Sequence, residues 1–162
     1  MHTVELLPDA ELDEGVRDLW SCLQRAGFPS LATHPHPTNR PHLTVISAAS
    51  LTGLAPLALP IAAELGAARL LGRALVRAVT PTAELRDLQA AVWASLTGSD
   101  RWPPPAEWVP HVSLALRMPA DRAEAALDLL ASAPVVRGQF VVARSYDSRT
   151  RTVAPLHHRL TR

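Results

Sequence analysis

Lysine is missing from the chain: all 16 basic residues are arginine, so no lysine can act as a nucleophile or form a Schiff base. Cysteine occurs once, at Cys22, which excludes an internal disulfide. Cys22 stands beside Trp20 and Leu23 in a helical pattern and reads as a small, partly buried residue rather than a catalytic thiol. No stretch reaches the ~18 uninterrupted apolar residues of a membrane span. The longest apolar region, 51–71, is broken by Pro56, Pro60, Glu64, Gly66 and Arg69. The opening MHTVELLPDAELDEG lacks the basic start and apolar run of a secretory leader. A soluble, cytoplasmic, monomeric protein without membrane association is the expectation. A net charge of +1 is too balanced for a domain that coats long nucleic acid. A short phosphate-bearing ligand needs only a few local donors and stays compatible with it.

What is present suffices for one domain: 162 residues, 48% of them hydrophobic, can fill a real core. Residues 3–7 are short, rich in apolar residues and closed by Pro8, a strand. Leu12, Val16, Leu19, Trp20 and Leu23 recur at helical spacing, with Asp9 as cap and Gly27 after the end, which predicts a helix over 9–26. The proline-rich 28–39 reads as loop and the β-branched, alternating 42–47 as strand. Residues 57–63, 68–72 and 74–80 read as strands, with turns at Gly66 and Gly72. Thr80 and Pro81 open a second helix over 81–96. A loop over 97–110 leads to a strand at 111–116, a third helix at 119–132, and two last strands at 135–143 and 150–160.

The order repeats: strand, helix, proline-rich loop, then a strand that begins with histidine. Two pseudo-symmetric lobes, roughly 1–73 and 74–162, are expected to pack about a central cleft, with terminal strands open to exchange between them. Both histidine strands read alike, as NRPHLTV (39–45) and WVPHVSL (108–114). Residues i and i+2 of a strand share a face, so His42 points with Thr44 and His111 with Ser113, while Leu43 and Val112 turn to the core. A hydroxyl can donate to an anionic oxygen and an imidazole can move a proton near neutral pH. Two such pairs face to face suit one phosphate held between two imidazoles.

RPHLTVI and WVPHVSLAL resemble the paired His-x-Thr/Ser motifs of the 2H phosphoesterase superfamily, in particular the 2′-5′ RNA ligase-like cyclic phosphodiesterases. The resemblance implies a bilobal α+β fold, no metal or organic cofactor, and chemistry on 2′,3′-cyclic or 2′-5′ phosphodiester bonds of RNA ends or nucleotides. Carried over by motif position, His42 and His111 are the acid–base pair and Thr44 and Ser113 bind phosphate oxygens. In hydrolysis His111 is expected to be the base and His42 the acid; reversed, the same site joins ends. A binding module that only holds a nucleotide or RNA end is the alternative. Two departures stand out. Ser113 replaces the commoner threonine, and Leu116 stands where many relatives carry arginine, with Arg117 next to it.

Other residues qualify less directly. Arg40 shares the face of His42 if the strand starts early, and Arg117 shares that of His111 if the strand runs on; either could reach substrate. Trp108 and Trp102 precede the second motif and either stack on a base or pack against the prolines, the second being favoured. Tyr146 is a further stacking candidate. His34 and His36 have poor spacing for a metal site but can line a cleft mouth. His157 and His158 face opposite ways in the last strand.

Overall fold

The computed structural model describes residues 1–161. It is an α+β fold of nine strands and three α-helices among the described residues. Strand β1 (His2–Pro8) is followed by helix α1 (Ala10–Arg25), a 3-10 turn at Leu31–Thr33 and strand β2 (Leu43–Ala48). Strands β3 (Leu57–Leu59), β4 (Ile61–Leu71) and β5 (Ala74–Val79) precede helix α2 (Ala83–Ser95). Strand β6 (His111–Ala115), helix α3 (Ala123–Leu130) and strands β7 (Val136–Asp147), β8 (Thr152–Pro155) and β9 (His158–Leu160) complete it.

Seven strands form one sheet in the order β1-β2-β6-β5-β4-β7-β8, and β7 pairs with β1 as well. Hydrogen bonding therefore runs around a closed circuit. At Phe140, fully buried, β7 passes from pairing with β4 to pairing with β1. Every pairing in this sheet is antiparallel. The boundary expected near residue 73 falls in the tight Gly72–Arg73 turn, between two strands that pair with each other. Gly72 has φ +59, a left-handed conformation that costs glycine nothing.

The helices form where pattern and caps agree. Asp9 accepts from Leu12 N at 3.0 Å and from Gln139 N at 2.9 Å, so the same carboxylate starts α1 and pins it to β7. Gly138 permits that approach, because a Cβ there would lie 2.6 Å from Asp9 Oδ1. Leu12, Val16, Leu19, Trp20 and Leu23 are buried, as the helical spacing predicts. Helix α2 starts two residues later than expected, because Thr82 rather than Thr80 caps it through Leu85 N. Helix α3 is shorter than predicted, its first turn being a 3-10 turn at Ala120–Arg122.

Two expectations about strands need correction. Gly66 is not a turn: β4 runs unbroken from Ile61 to Leu71 with a bulge between Leu65 and Ala68. The buried Arg77 of β5 holds the bulge, donating Nε–H to Gly66 O and Nη2–H to Leu65 O and Pro134 O. Burial lowers the pKa of that guanidinium. The final strand of 150–160 is two short ones, because β9 leaves the main sheet to pair in parallel with β3.

Candidate active site

Strands β2 and β6 meet through Leu43 and Val112. In antiparallel pairing this sets His42 beside Ser113 and Thr44 beside His111. Leu43 and Val112 are buried in the core, and the four polar side chains stand half-buried on the opposite face. Each histidine thus neighbours the hydroxyl of the other motif.

The rings are held alike. His42 Nδ1 lies 2.9 Å from Arg40 O, and His111 Nδ1 lies 2.7 Å from Val109 O. A carbonyl only accepts, so Nδ1 carries the proton in both rings and Nε2 is left to take or give one. Two indoles fix the strand backbones. Trp20 Nε1 donates to Ser113 O at 3.0 Å and Trp108 Nε1 donates to Thr44 O at 3.1 Å.

The cross-strand register extends the polar face sideways. Thr44 pairs with Glu5, and Glu5 pairs with Arg144. His111, Thr44, Glu5 and Arg144 therefore form one row across β6, β2, β1 and β7. Glu5 and Arg144 are both buried. Arg144 Nε donates to Glu5 Oε2 at 2.7 Å and Nη2 to Thr38 O at 3.1 Å. Thr3 donates to Glu5 Oε1 at 2.9 Å, and the same oxygen lies 3.8 Å from His42 Nε2.

A cleft of about 660 Å³ opens beside this face, with His42, Ser113, Glu5 and Arg144 in its walls, while His111 and Thr44 lie outside its lining. The 31–39 loop supplies His34 and His36 on one side, and Tyr146 and Arg151 come from the β7–β8 hairpin. The His36 and Tyr146 rings meet edge to face at 6.3 Å. No third His, Cys, Asp or Glu joins His34 and His36 in a metal-holding group among the described residues.

The structure does not bring every expected residue to the cleft. Arg40 turns to α1, with Nη2 3.8 Å from Asp13 Oδ1. Arg117 lies beyond the end of β6, exposed, in a neighbouring hollow with Pro29 and Thr33. Strand alternation cannot carry it to the face of His111, because the strand stops at Ala115. Leu116 does line the cleft. Trp108 spends its only donor on Thr44 O, and Trp102 is exposed on the edge of β2 opposite Ser47. His157 lies between β8 and β9, and His158 pairs with Leu57, both exposed and outside the cleft walls.

Glu5, Arg144 and Arg151 are cleft residues that motif reading does not reach. Glu5 and Arg144 leave a trace, as single charges inside the apolar strand runs TVELL and VVARS. Charges rarely stay buried unless paired. Arg151 leaves none.

No family model and no curated protein matches the sequence. Among solved structures, the chain is similar to Usb1 of Kluyveromyces marxianus, with a TM-score of 0.56 at 13% identity, over 96% of this chain and 97% of that one. The structure of that protein with uridine monophosphate gives a TM-score of 0.51 at 11% identity, with the same coverage. The likeness is one of fold, an α+β architecture built on a large antiparallel sheet, and it spans nearly the whole chain.

Proposed function

We propose that the protein is a metal-independent phosphodiesterase acting on 2′,3′-cyclic phosphates or 2′-5′ phosphodiester bonds at RNA ends or in nucleotides. The observation that carries this reading is the matched pair of histidines. Both give Nδ1–H to a carbonyl two residues back, and each stands beside the other motif's hydroxyl. A structure of the same fold obtained with uridine monophosphate agrees with a nucleotide ligand. The chain acts as one two-lobed domain.

A cyclic phosphate lies between the imidazoles. His111 Nε2 takes a proton from water as the water oxygen attacks phosphorus. His42 Nε2 gives its proton to the ribose oxygen as the P–O bond breaks, and the product is a nucleoside monophosphate. Thr44 and Ser113 donate hydrogen bonds to the non-bridging oxygens as charge builds there. Glu5 Oε1 lies 3.8 Å from His42 Nε2, within reach of the ring assigned the role of acid. With the hydroxyl of a second RNA end in place of the water, the same steps open the cyclic phosphate onto that hydroxyl and join the two ends. No cofactor takes part.

Incubation with 2′,3′-cyclic nucleotides in EDTA tests the reading. A monophosphate product that disappears in His42→Ala and His111→Ala supports it. Tight binding without turnover would instead make the cleft a nucleotide-binding module, and loss of activity in EDTA would point to a metal.

A further inference from the structure

The cleft holds one cation that its own carboxylate does not engage. Its walls carry Arg144 and Arg151 against one carboxylate, Glu5. Glu5 is already engaged by Arg144 and Thr3, so it offers nothing to Arg151. Among the described residues Arg151 enters no ion pair and its side chain makes no hydrogen bond.

Arg151 is also held at a backbone cost. Its φ is +56, and it is the only non-glycine residue with positive φ among the described residues. Glycine or asparagine fits such a position more easily, and strain of this kind gathers at ligand sites. The turn around it is well fixed. Asp147 Oδ1 accepts from Arg149 N at 2.9 Å, the hydroxyls of Thr150 and Thr152 lie 2.7 Å apart, and Ser148 N donates to Met1 O at 2.9 Å. A free cation thus stands on a fixed, strained turn at the wall of the cleft.

Arg151 and His42 share the walls of one cleft, with room for a second anion beside the first. Arg144 belongs to the row that contains Thr44 and His111, and the hairpin closes three residues on, where Asp147 pairs with Thr152. The hairpin therefore begins about 10 Å along β7 from Arg144, and Arg151 lines the same cleft as His42 and Ser113. Tyr146, two residues along the same face from Arg144, lines the path between.

We propose that Arg151 forms a second phosphate subsite, for a phosphate on the 5′ oxygen of the ribose whose 2′,3′-cyclic phosphate lies between His42 and His111. The proposal rests on the cyclic phosphodiesterase reading and narrows its substrates to nucleotides that are phosphorylated or extended on the 5′ side. A 5′-phosphorylated mononucleotide and an RNA 3′ end share this chemistry.

The test compares kcat/KM for three substrates: a nucleoside 2′,3′-cyclic phosphate, its 5′-phosphorylated form, and a dinucleotide ending in a cyclic phosphate. The wild type is expected to favour one or both of the phosphate-bearing substrates about tenfold or more, the range of a charge-assisted hydrogen bond. Arg151→Gly relieves the backbone and removes the charge, and should collapse that preference mainly through KM. Arg151→Lys should restore part of it. A gain confined to the mononucleotide marks free nucleotides as the ligand; a gain with the dinucleotide marks RNA ends. Equal rates on all three substrates in the wild type, or an unchanged preference in Arg151→Gly, would overturn the proposal. Should the protein turn over none of them, calorimetric binding of the 5′-phosphorylated and unphosphorylated forms to wild type and Arg151→Gly decides the same question. Loss of all turnover in His42→Ala with the Arg151-dependent binding preference intact separates the two readings.

Discussion

Leu43 and Val112 are register partners across the seam between β2 and β6, and this pair arranges everything polar around it. Their side chains are buried, so neither strand can slip by one residue without turning a histidine into the core and a leucine or valine into the cleft. The apolar residue inside each His-x-hydroxyl motif is what sets the chemistry of its neighbours.

Replacing either histidine by alanine should lower turnover of a 2′,3′-cyclic nucleotide by at least ~10²-fold, the usual contribution of a single positioned acid or base. Circular dichroism should be unchanged, since both rings are half-exposed. Steady-state rates on purified variants check this; near-wild-type rates in either one would remove that residue from the mechanism.

Glu5→Ala should be strongly destabilising. It strands the buried Arg144 without its carboxylate, a loss that typically costs about 3–5 kcal/mol. Urea unfolding should show a lower midpoint with little change in slope. The double change Glu5→Leu with Arg144→Met should recover much of that stability, while activity stays low. A midpoint within error of wild type for Glu5→Ala would show that the pair holds nothing in place.

Gly138→Ala should destabilise by about 1–3 kcal/mol, as overpacking does. The new Cβ would sit 2.6 Å from Asp9 Oδ1 and 2.7 Å from Leu12 Cβ, against the carboxylate that starts α1. Thermal melts of Gly138→Ala and Asp9→Ala should both fall, and the double variant should lose less than the sum. Strict additivity would mean that the clash is relieved elsewhere.

The β7–β8 hairpin should loosen only in strong acid. The hydrogen bond from Arg149 N holds the Asp147 carboxyl below its ordinary value of 3.8, with help from Thr150, His2 and the N-terminal charge. A lowered folded-state pKa means that the contribution is complete above the unfolded value and is lost as pH falls through the folded one. Nuclear magnetic resonance of the Arg149 amide should therefore report one acid transition below the ordinary carboxylate range, absent in Asp147→Asn. A transition at or above pH 3.8 in the wild type would contradict the geometry.

Much of this was legible in the residues. The alternation around His42 and His111 predicts that Leu43 and Val112 turn to the core, and Asp9 with its helical stripe predicts α1. What escaped depends on partners far along the chain. Nothing local shows that Gly66 lies within a strand, because the carbonyls of its bulge are satisfied by Arg77 and not by a neighbour. Glu5 reads as a stray charge until Arg144 arrives beside it. Arg117 was misplaced because the pattern of β6 does not reveal that the strand ends at Ala115.

The pairing of β1 with β7 also bears on how the molecule is made. Glu5 and Arg144 are separated by 139 positions, so the second edge of β1 stays open until β7 has left the ribosome. Contacts this distant in sequence slow folding. Until they form, an unpaired apolar edge is exposed to other chains. The arrival of β7 completes the pocket, and a truncation ahead of residue 144 should yield an aggregating chain rather than a merely weakened fold.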